Sequence, residues 1–397
     1  MDETNESGVM RTVRLVLTGA DRSVEGELPL FAVETPWWAD VEPVVHVARA
    51  RFGADVHVLR LVDVTGGEPA LARSGLVTYE AELVGELPAA LRPTQVDIGG
   101  DHPLRAPWAR PGGVQAMVEW AGGFVDATGP AQQVKSWNLS CLLRLPTAGG
   151  PVWCKAAPPF FSHEGAILEL AGGVRPYLVP PVLANAPGLT LMCHVDGADQ
   201  WEAGPELAAS MVTALVDLQR AVTVDQLLAA GLPDWRSPAL LAAAQRLCCR
   251  DDVRATLAPA ELPALDRLVD ELPDRFAALD RCGIEPGLIH GDFHPGNWRG
   301  GASTLVLLDW GDSGVGHPLL DMPAFLGRMP AEGASKVRVH WIALLDGDAQ
   351  RASEIIAPIA ALRQALIYRS FLDAIEPAEH RYHQADVPQW LREAIRA

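Results

Sequence analysis

Alternation of apolar and polar residues near the start of the chain predicts a small β-sheet. The segments with this pattern are residues 13–17, 27–31, 56–62 and 76–84. Residues 37–52 instead place apolar side chains at helical spacing, and Gly53 follows them as a stop signal. The resulting order of strands and helix, β-β-α-β-β over residues 12–85, predicts a separate N-terminal α+β domain.

Residues 86–113, which follow this domain, contain several prolines. They are Pro88, Pro93, Pro103, Pro107 and Pro111. Because proline lacks an N–H group and has a fixed φ, we predict an irregular linker over residues 86–130, with one short helix at 114–120. The strand pattern then returns, and a helix is expected to begin near Ser162 with that residue as its N-cap. The predicted strands cover residues 134–145, 152–155, 179–183 and 189–195.

Apolar residues at helical spacing dominate the chain from residue 196 to its end. The clearest stripes lie within residues 207–218, 262–279 and 355–371. Pro263 and Pro273 fall within the middle stripe and are expected to break or kink that helix. We therefore predict a mostly helical region over residues 196–397.

The composition is that of a globular protein with an acidic surface. The 397 residues are 49% hydrophobic and 21% charged, with a net charge of −18, which disfavours nucleic acid and acidic membranes as partners. No apolar run approaches the length of a membrane span. The polar residues 1–9 lack the basic and apolar regions of a signal peptide. We expect a cytoplasmic protein with a frayed terminus at residues 1–11, and the sequence leaves the oligomeric state open.

Two acids and an amide follow short apolar segments late in the chain. The run Leu288-Ile289 leads into His290-Gly291-Asp292, and Asn297 follows five residues after that acid. A second apolar run, residues 305–308, ends at Asp309. Phosphoryl transfer requires mainly positioning and charge neutralisation, which these groups can supply. In this interpretation Asp292 orients an acceptor hydroxyl and takes its proton, while Asn297 and Asp309 offer hard oxygen ligands to Mg²⁺.

Together with the later runs Leu308-Asp309-Trp310-Gly311-Asp312 and Gly316-His317-Pro318-Leu319-Leu320-Asp321, this motif resembles the aminoglycoside phosphotransferase family of small-molecule kinases. The resemblance covers about residues 125–397. It implies a bilobal, protein-kinase-like α+β fold, with a β-rich N-lobe at residues 131–195 and a helical C-lobe at 196–397. The N-terminal α+β domain is then an addition to that fold.

The resemblance also implies which residues bind ATP. Lys155 would hold the α- and β-phosphates, braced by Glu164, with Glu169 as the alternative partner. The phosphate-covering loop would fall near residues 135–138, where glycine is missing, so Ser136 and Asn138 or backbone N–H groups would make the contacts. Backbone groups near Cys193 and Val195 would bind adenine. We expect His290 to brace the loop by hydrogen bonds, and Asp312 to contact substrate or metal or to cap a turn.

The N-terminal domain distantly resembles a Nudix domain through the helix that ends in Arg51-Phe52-Gly53. The glutamates that a Nudix metal site needs are replaced there by Ala48, Arg49 and Ala50. No hydrolase activity is therefore expected. The domain is interpreted as a cap on the kinase-like part or as a stabilising module.

The predicted function is ATP- and Mg²⁺-dependent transfer of a phosphoryl group to the hydroxyl of a small molecule. An aminoglycoside, a sugar, an amino sugar or an amino alcohol all remain open as acceptors, and ATP is not distinguished from GTP. The acidic net charge favours a cationic acceptor only slightly. The alternative function is a catalytically inactive, nucleotide-binding regulatory module. Protein-kinase activity is less favoured, because no activation segment ending in Ala-Pro-Glu is present.

Overall fold

The structure is a computed structural model that describes residues 10–301 and 304–397 as a mixed α+β protein. Residues 1–9 of the expected frayed terminus lie outside the described residues, and the first strand begins at Arg11. The described chain forms two compact units. The first comprises the chain up to Phe160 with residues 183–194 and 370–385, and the second comprises residues 161–182, 195–369 and 386–397.

The strands have the following bounds. They are β1 (Arg11–Thr18), β2 (Val24–Glu27), β3 (Phe31–Val33), β4 (Val56–Thr65), β5 (Leu76–Leu83), β6 (Gln132–Trp137), β7 (Ser140–Leu145), β8 (Val152–Ala156), β9 (Val182–Ala186), β10 (Leu189–Cys193), β11 (Ala198–Asp199), β12 (Asp234–Trp235), β13 (Gly287–Ile289), β14 (Trp298–Gly301), β15 (Thr304–Leu307) and β16 (Gly314–Gly316).

The helices alternate with these strands and dominate the second half of the chain. They are α1 (Glu42–Phe52), α2 (Gly113–Gly122), α3 (Glu164–Val174), α4 (Pro205–Ala221), α5 (Val224–Ala229), α6 (Ser237–Cys248), α7 (Asp251–Arg254), α8 (Leu262–Asp280), α9 (Met322–Gly327), α10 (Ala331–Leu344), α11 (Ala349–Ala374) and α12 (Asp386–Arg396). Short 3-10 helices lie at Pro69–Leu71, Pro107–Ala109, Pro159–Phe161, Pro295–Asn297, Pro318–Asp321 and Pro377–Tyr382. Each of these begins at a proline, whose φ suits the first helical position.

A five-stranded sheet forms the N-terminal part of the first unit, in the order β2-β1-β5-β4, with β3 also paired to β1. The central strands β1 and β5 are parallel. The single strand predicted at residues 27–31 is wrong. Pro29 separates β2 from β3, because proline cannot donate a ladder hydrogen bond. The helix predicted from residue 37 begins only at Glu42, since Trp37 and Asp40 form β-bridges instead.

The second sheet of the first unit has the order β6-β7-β8-β10-β9 and carries α2 on one face. It is joined to the N-terminal sheet by Gln133. The side-chain amide of Gln133 donates to the Val58 carbonyl and accepts from the Val58 N–H, both at 2.8 Å. These reciprocal bonds to a buried backbone tie the N-terminal residues to the second sheet, although a proline-rich segment separates the two in sequence.

Residues 370–385 return from the helical part of the chain to the first unit. Tyr382 packs in the core of the N-terminal sheet, with its ring centroid 5.8 Å from that of Trp38 and 5.6 Å from that of Trp137. Sequence order placed these residues in a C-terminal helical lobe. They belong with the first unit instead, because their aromatic and charged side chains complete its core.

Buried charges join the same segment to β4. Arg105 donates to Glu376 at 2.9 Å, and Arg60 lies 3.5 Å from the same carboxylate. Glu379 is 2% exposed and accepts from the Leu61 N–H. Burial, reinforced by the negative charge of Glu376, raises the pKa of Glu379 to about 8.

The second unit is mainly helical and contains two short three-stranded sheets, β11-β14-β15 and β12-β16-β13. Strands β13 and β15 are the apolar segments that lead to the acids singled out in the sequence. Helix α11 is long and apolar enough to cross a membrane by length and hydropathy alone, contrary to the expectation that no such run exists. Its most apolar window is 61% buried within the protein, which is typical of a core helix.

Candidate active site

The backbone of the His290-Gly291-Asp292 loop follows directly from the buried strand β13. Leu288 and Ile289 have no exposed surface and anchor the loop in the core. Gly291 has φ +89°, and a Cβ at this position would lie 2.1 Å from the Asp312 carbonyl oxygen. Only glycine fits both the left-handed backbone and this close approach. The loop therefore turns immediately before Asp292.

Asp321 fixes the turn from the other side. Its two carboxylate oxygens accept from the backbone N–H groups of His290 and Gly291 at 2.8 and 2.7 Å. The side chain is 2% exposed, and burial raises the pKa of Asp321 to about 6 despite these two donors. Asp321 thus supports the loop from within the core and does not face a ligand.

Two side chains of α11 complete the support of the loop. Arg363, which is 2% exposed, and Gln364 both donate to the Gly291 carbonyl, at 3.2 and 2.8 Å. Arg363 also donates to the Asp312 carbonyl. Neither residue was expected at this loop from the sequence. The only available signal was a charged residue within an apolar helical stripe, about 70 positions after the loop.

Asp292 projects from this loop with about a third of its side chain exposed. Burial alone would raise the pKa of its carboxyl, but a hydrogen bond from His294 and the positive charges of His294 and Arg328 lower that pKa well below its usual range. His294 Nε2 lies 3.4 Å from Oδ2, and Arg328 Nη1 lies 3.7 Å from Oδ1. Asp292 is therefore ionised at neutral pH.

Asn297 is oriented by the same acid. Its side-chain Nδ2 donates to the Asp292 carbonyl at 2.8 Å and to Oδ2 at 3.1 Å. Because the amide nitrogen faces Asp292, the amide oxygen is the atom that remains to ligate a cation. The Asn297 carbonyl accepts from the Leu308 N–H at 2.8 Å, which joins its segment to the one that carries Asp309.

Asp309 is exposed and has φ +61°, a left-handed conformation that aspartate tolerates better than most residues. Within the described residues, no group of three or more His, Cys, Asp or Glu side chains could hold a metal ion. A pair of oxygen donors such as Asn297 and Asp309 still suits Mg²⁺, because this ion keeps several waters and takes further oxygens from substrate phosphates. The donor chemistry therefore fits the expected ion.

His290 is fully buried, and burial lowers its pKa to about 4, so the ring is neutral at physiological pH. Its Nε2–H donates to the Leu308 carbonyl at 3.0 Å, and its ring lies 4.6 Å from that of Trp310. These contacts link the loop to the segment around Asp309. A buried neutral ring bound to a carbonyl supports structure and is unsuited to acid–base chemistry.

Glu164 begins α3 and is 3% exposed, whereas Glu169 on the same helix is exposed. Glu164 Oε1 accepts from the backbone N–H of Trp310 at 3.2 Å, so this side chain also fixes the residue that follows Asp309. The N-cap of α3 is His163, so the prediction of Ser162 as the N-cap is wrong. The pairing of Glu164 with Lys155 stays a prediction.

Lys155 lies in β8, between β7 and β10, in the second sheet of the first unit. Its neighbours Cys154 and Ala156 point into the core that includes α2, so Lys155 points from the other face of the sheet. Cys193 ends β10 and is partly exposed, as is Val195. The Val195 carbonyl accepts from Arg299 Nε at 2.9 Å.

Ser136 and Asn138 require a correction. Both side chains are buried, at 1% and 2% exposure. Asn138 Nδ2 donates to the Glu379 carbonyl, Asn138 Oδ1 accepts from His383 Nε2–H at 2.9 Å, and Ser136 donates to the Leu59 carbonyl. Their polar groups are bonded inside the first unit, which leaves the backbone N–H groups as the expected phosphate contacts. Sequence could not indicate this, because the partners come from distant segments.

Asp312 lies partly buried after the second acid, and its backbone carbonyl is the atom that Arg363 and Gly291 approach. Its position thus depends on the same loop support. Of the residues singled out in the sequence, the second unit holds His290, Asp292, Asn297, Asp309 and Asp312 together, along with Glu164. Arg328 and Trp201, which also approach this loop, were not expected from the sequence.

Comparison with known proteins agrees with this geometry. The model of the phosphotransferase enzyme family (APH) matches residues 142–354, just over half of the chain. Among curated proteins, no relative matches the chain. The residues before 142, including the N-terminal sheet, lie outside the family match.

Solved structures with similar folds are kinases and phosphotransferases of small molecules. A macrolide 2'-phosphotransferase from Brachybacterium faecium has a TM-score of 0.51 at 16% identity, covering 70% of this chain and 97% of that one. An aminoglycoside 2'-phosphotransferase-IIIa in complex with GDP has a TM-score of 0.52 at 15% identity, covering 71% and 97%. An ethanolamine kinase from Plasmodium vivax has a TM-score of 0.51 at 11% identity, covering 71% and 85%.

At these identities the structural matches establish the fold. The family match, the kinase-like fold and the loop that carries Asp292 and Asn297 confirm the resemblance found in the sequence. This chain belongs to the phosphotransferase enzyme family.

Proposed function

We propose that the protein transfers the γ-phosphoryl group of ATP to a hydroxyl of a small molecule in the cytoplasm. The observation that carries this proposal is the ionised, partly exposed carboxylate of Asp292, held by Asn297 beside the segment of Asp309. An acid in this state accepts a hydrogen bond from an alcohol and orients its oxygen toward a phosphorus atom.

Each residue has a distinct role in the proposal. Asp292 orients the acceptor hydroxyl and receives its proton as the oxygen bonds to the γ-phosphorus, while the bond from that phosphorus to the β–γ bridging oxygen breaks and ADP leaves. Asn297 and Asp309 would hold Mg²⁺, which would supply charge that neutralises the nucleotide phosphates. Lys155 binds nucleotide phosphates as a point charge. Backbone groups near Cys193 and Val195 contact the base.

The nucleotide is tested by titrating ATP and GTP with and without Mg²⁺. We expect ATP binding that tightens in Mg²⁺, and we expect Asp309→Ala to lose most of that Mg²⁺ dependence, because one of two protein oxygens is removed. Asp346→Ala, an acid outside the site, is the matched control. Equal affinity of wild type and Asp309→Ala in Mg²⁺ would contradict the assignment of Asp309.

Transfer itself is tested by nucleoside diphosphate release with a panel of alcohols, sugars, amino sugars and aminoglycosides. A true acceptor raises release above the background hydrolysis and yields a phosphorylated product by mass spectrometry. The alternative, an inactive nucleotide-binding regulatory module, predicts nucleotide binding with no product from any acceptor.

A further inference from the structure

Trp201 forms an exposed aromatic surface on the loop that carries Asp292. Its ring stacks on His294, with centroids 5.0 Å apart and planes at 26°. It also covers Gly296, where a Cβ would lie only 2.3 Å from the indole. Despite these contacts, 40% of Trp201 remains exposed. An indole held on a buried histidine, with open surface beside the reacting acid, is suited to stack on a ring of a ligand.

Arg328 brings a positive charge to the same acid. It follows α9, is 43% exposed, and its Nη1 lies 3.7 Å from Asp292 Oδ1. The histidine under Trp201 approaches the other oxygen, Oδ2. The guanidinium and the histidine on which Trp201 stacks therefore approach the two oxygens of one carboxylate. A guanidinium has five N–H donors, so contact with Asp292 leaves most of them for an incoming group.

The net charge of the whole chain says little about which charged group binds beside Asp292. The −18 of the whole chain is spread over its surface, and at physiological ionic strength charges beyond about 8 Å are largely screened. Arg328 lies well within that distance of Asp292. A cationic group placed beside the acceptor hydroxyl would meet this arginine, whereas a carboxylate or phosphate would pair with it.

We propose that the acceptor is a hydroxylated ring compound with an anionic substituent, its ring on Trp201 and its carboxylate or phosphate on Arg328. This inference rests on the proposed function and specifies the substrate class of the same site. It excludes polycations such as aminoglycosides as preferred acceptors. Arg328 and Trp201 bind the acceptor, and Asp292 remains the group that takes the proton.

The experiment compares acceptors that differ mainly in charge. The ring set is glucuronate, glucose and glucosamine, with kanamycin as a polycation, and the set without a ring is glycerate, glycerol and serinol. For the wild type we expect kcat/KM to favour the anionic member of a set over the cationic one by about tenfold or more, which corresponds to about 1.4 kcal/mol. Preference for the cationic members would overturn the inference while leaving the proposed function intact.

Variants separate recognition of the acceptor from a general role. Arg328→Glu should invert the charge preference, and Arg328→Gln should remove it, mainly through KM. Arg351→Glu is the matched control, since it changes net charge equally at an exposed arginine paired with Glu354. If Arg328→Glu lowers kcat by the same factor for all acceptors, the arginine serves the transferring phosphoryl group, and the inference is wrong.

Trp201 is tested with the two acceptor sets. Trp201→Ala should raise KM for the ring acceptors by about fivefold or more, with little change for glycerate, while Trp201→Phe retains most of the affinity. A uniform fall in kcat for both sets would show that Trp201 only supports the loop. No product from any acceptor, with nucleotide bound, would defeat the proposed function itself and the inference with it.

Discussion

The carboxylate of Asp292 is surrounded by groups that favour its ionised form. His294, Arg328 and the amide of Asn297 all approach it, and its pKa lies well below the usual range. A base with so low a pKa has little driving force to remove a proton early. Phosphoryl transfer with a loose transition state needs little of that force. At the scale of single residues, the proposed role of Asp292 is therefore mainly to orient the hydroxyl.

Asp292→Asn tests this role with almost no change of volume. We expect kcat to fall by about 10³-fold, because the neutral amide neither accepts the proton nor orients the hydroxyl in the same way. Nucleotide affinity should change little, as measured by titration next to the kinetic assay. Asp270→Asn, at an exposed position on α8, is the control. A fully active Asp292→Asn enzyme would disprove the assignment.

At the scale of elements, the loop is shaped by segments that meet only in the fold. Strand β13 delivers it, Asp321 binds its two N–H groups, and α11 binds its carbonyl through Arg363 and Gln364. The N–H groups of His290 and Gly291 and the carbonyl of Gly291 are thereby given partners from the core. Such support holds a functional side chain in place with little freedom, which is what positioning of a reacting hydroxyl requires.

Gly291→Ala tests the turn. The new Cβ would collide with the Asp312 carbonyl in addition to the cost of a left-handed backbone, so we expect destabilisation of about 2 kcal/mol or more and loss of activity. Gly283→Ala is the matched control, since Gly283 has φ +70° and nothing within 4 Å of a Cβ. Denaturant unfolding and turnover should separate the two variants. Equal effects would mean that the close approach to Asp312 is unimportant.

At the scale of the whole molecule, the first unit is assembled from distant parts of the chain. The N-terminal sheet, the second sheet and residues 370–385 share aromatic packing around Tyr382 and a buried cluster of arginines and glutamates. Within that cluster Glu376 is paired with arginine. Burial raises the pKa of Glu379 to about 8, so this side chain is neutral below that pH. The N-terminal residues are therefore part of the core of this unit.

Glu379 makes the stability of this unit depend on pH. Its pKa is raised from 4.5 to about 8, so the folded state keeps a proton that the unfolded state has lost over this range. The contribution of Glu379 to the free energy of unfolding is fully present below about pH 4.5 and is lost as the pH rises toward 8. The glutamine of Glu379→Gln cannot ionise. The melting temperature of this variant should therefore exceed that of the wild type by a margin that grows between about pH 4.5 and 8, to about 2 °C or more.

The control is Glu376→Gln, which removes the charge that pairs with Arg60 and Arg105 and should destabilise at every pH. Melting curves of the three proteins from pH 5 to 9 give the comparison. A difference between wild type and Glu379→Gln that stays constant with pH would show that Glu379 is ionised throughout.

The spacing of apolar and polar residues within short stretches was enough to predict many of the strands and helices of this protein. The apolar segments before His290 and Asp309, the five-residue step to Asn297 and the helical stripes are properties of short stretches, and strands and helices express such periodicities directly. The resemblance to the family and the proposed role of Asp292 both rest on these short stretches. Errors arose where proline or an isolated bridge interrupted a pattern, as between β2 and β3 and before α1.

Tertiary structure alone decided the partners of those residues. Arg363, Arg328 and Trp201 are ordinary residue types at least 36 positions from Asp292 in sequence, and only the folded chain brings them to the loop. The same holds for Ser136 and Asn138, which looked available but are buried by segments from both ends of the chain. Burial and charge pairing depend on such long-range contacts. Segments that are distant in sequence exclude water from a side chain, and its neighbours in sequence do not reveal this.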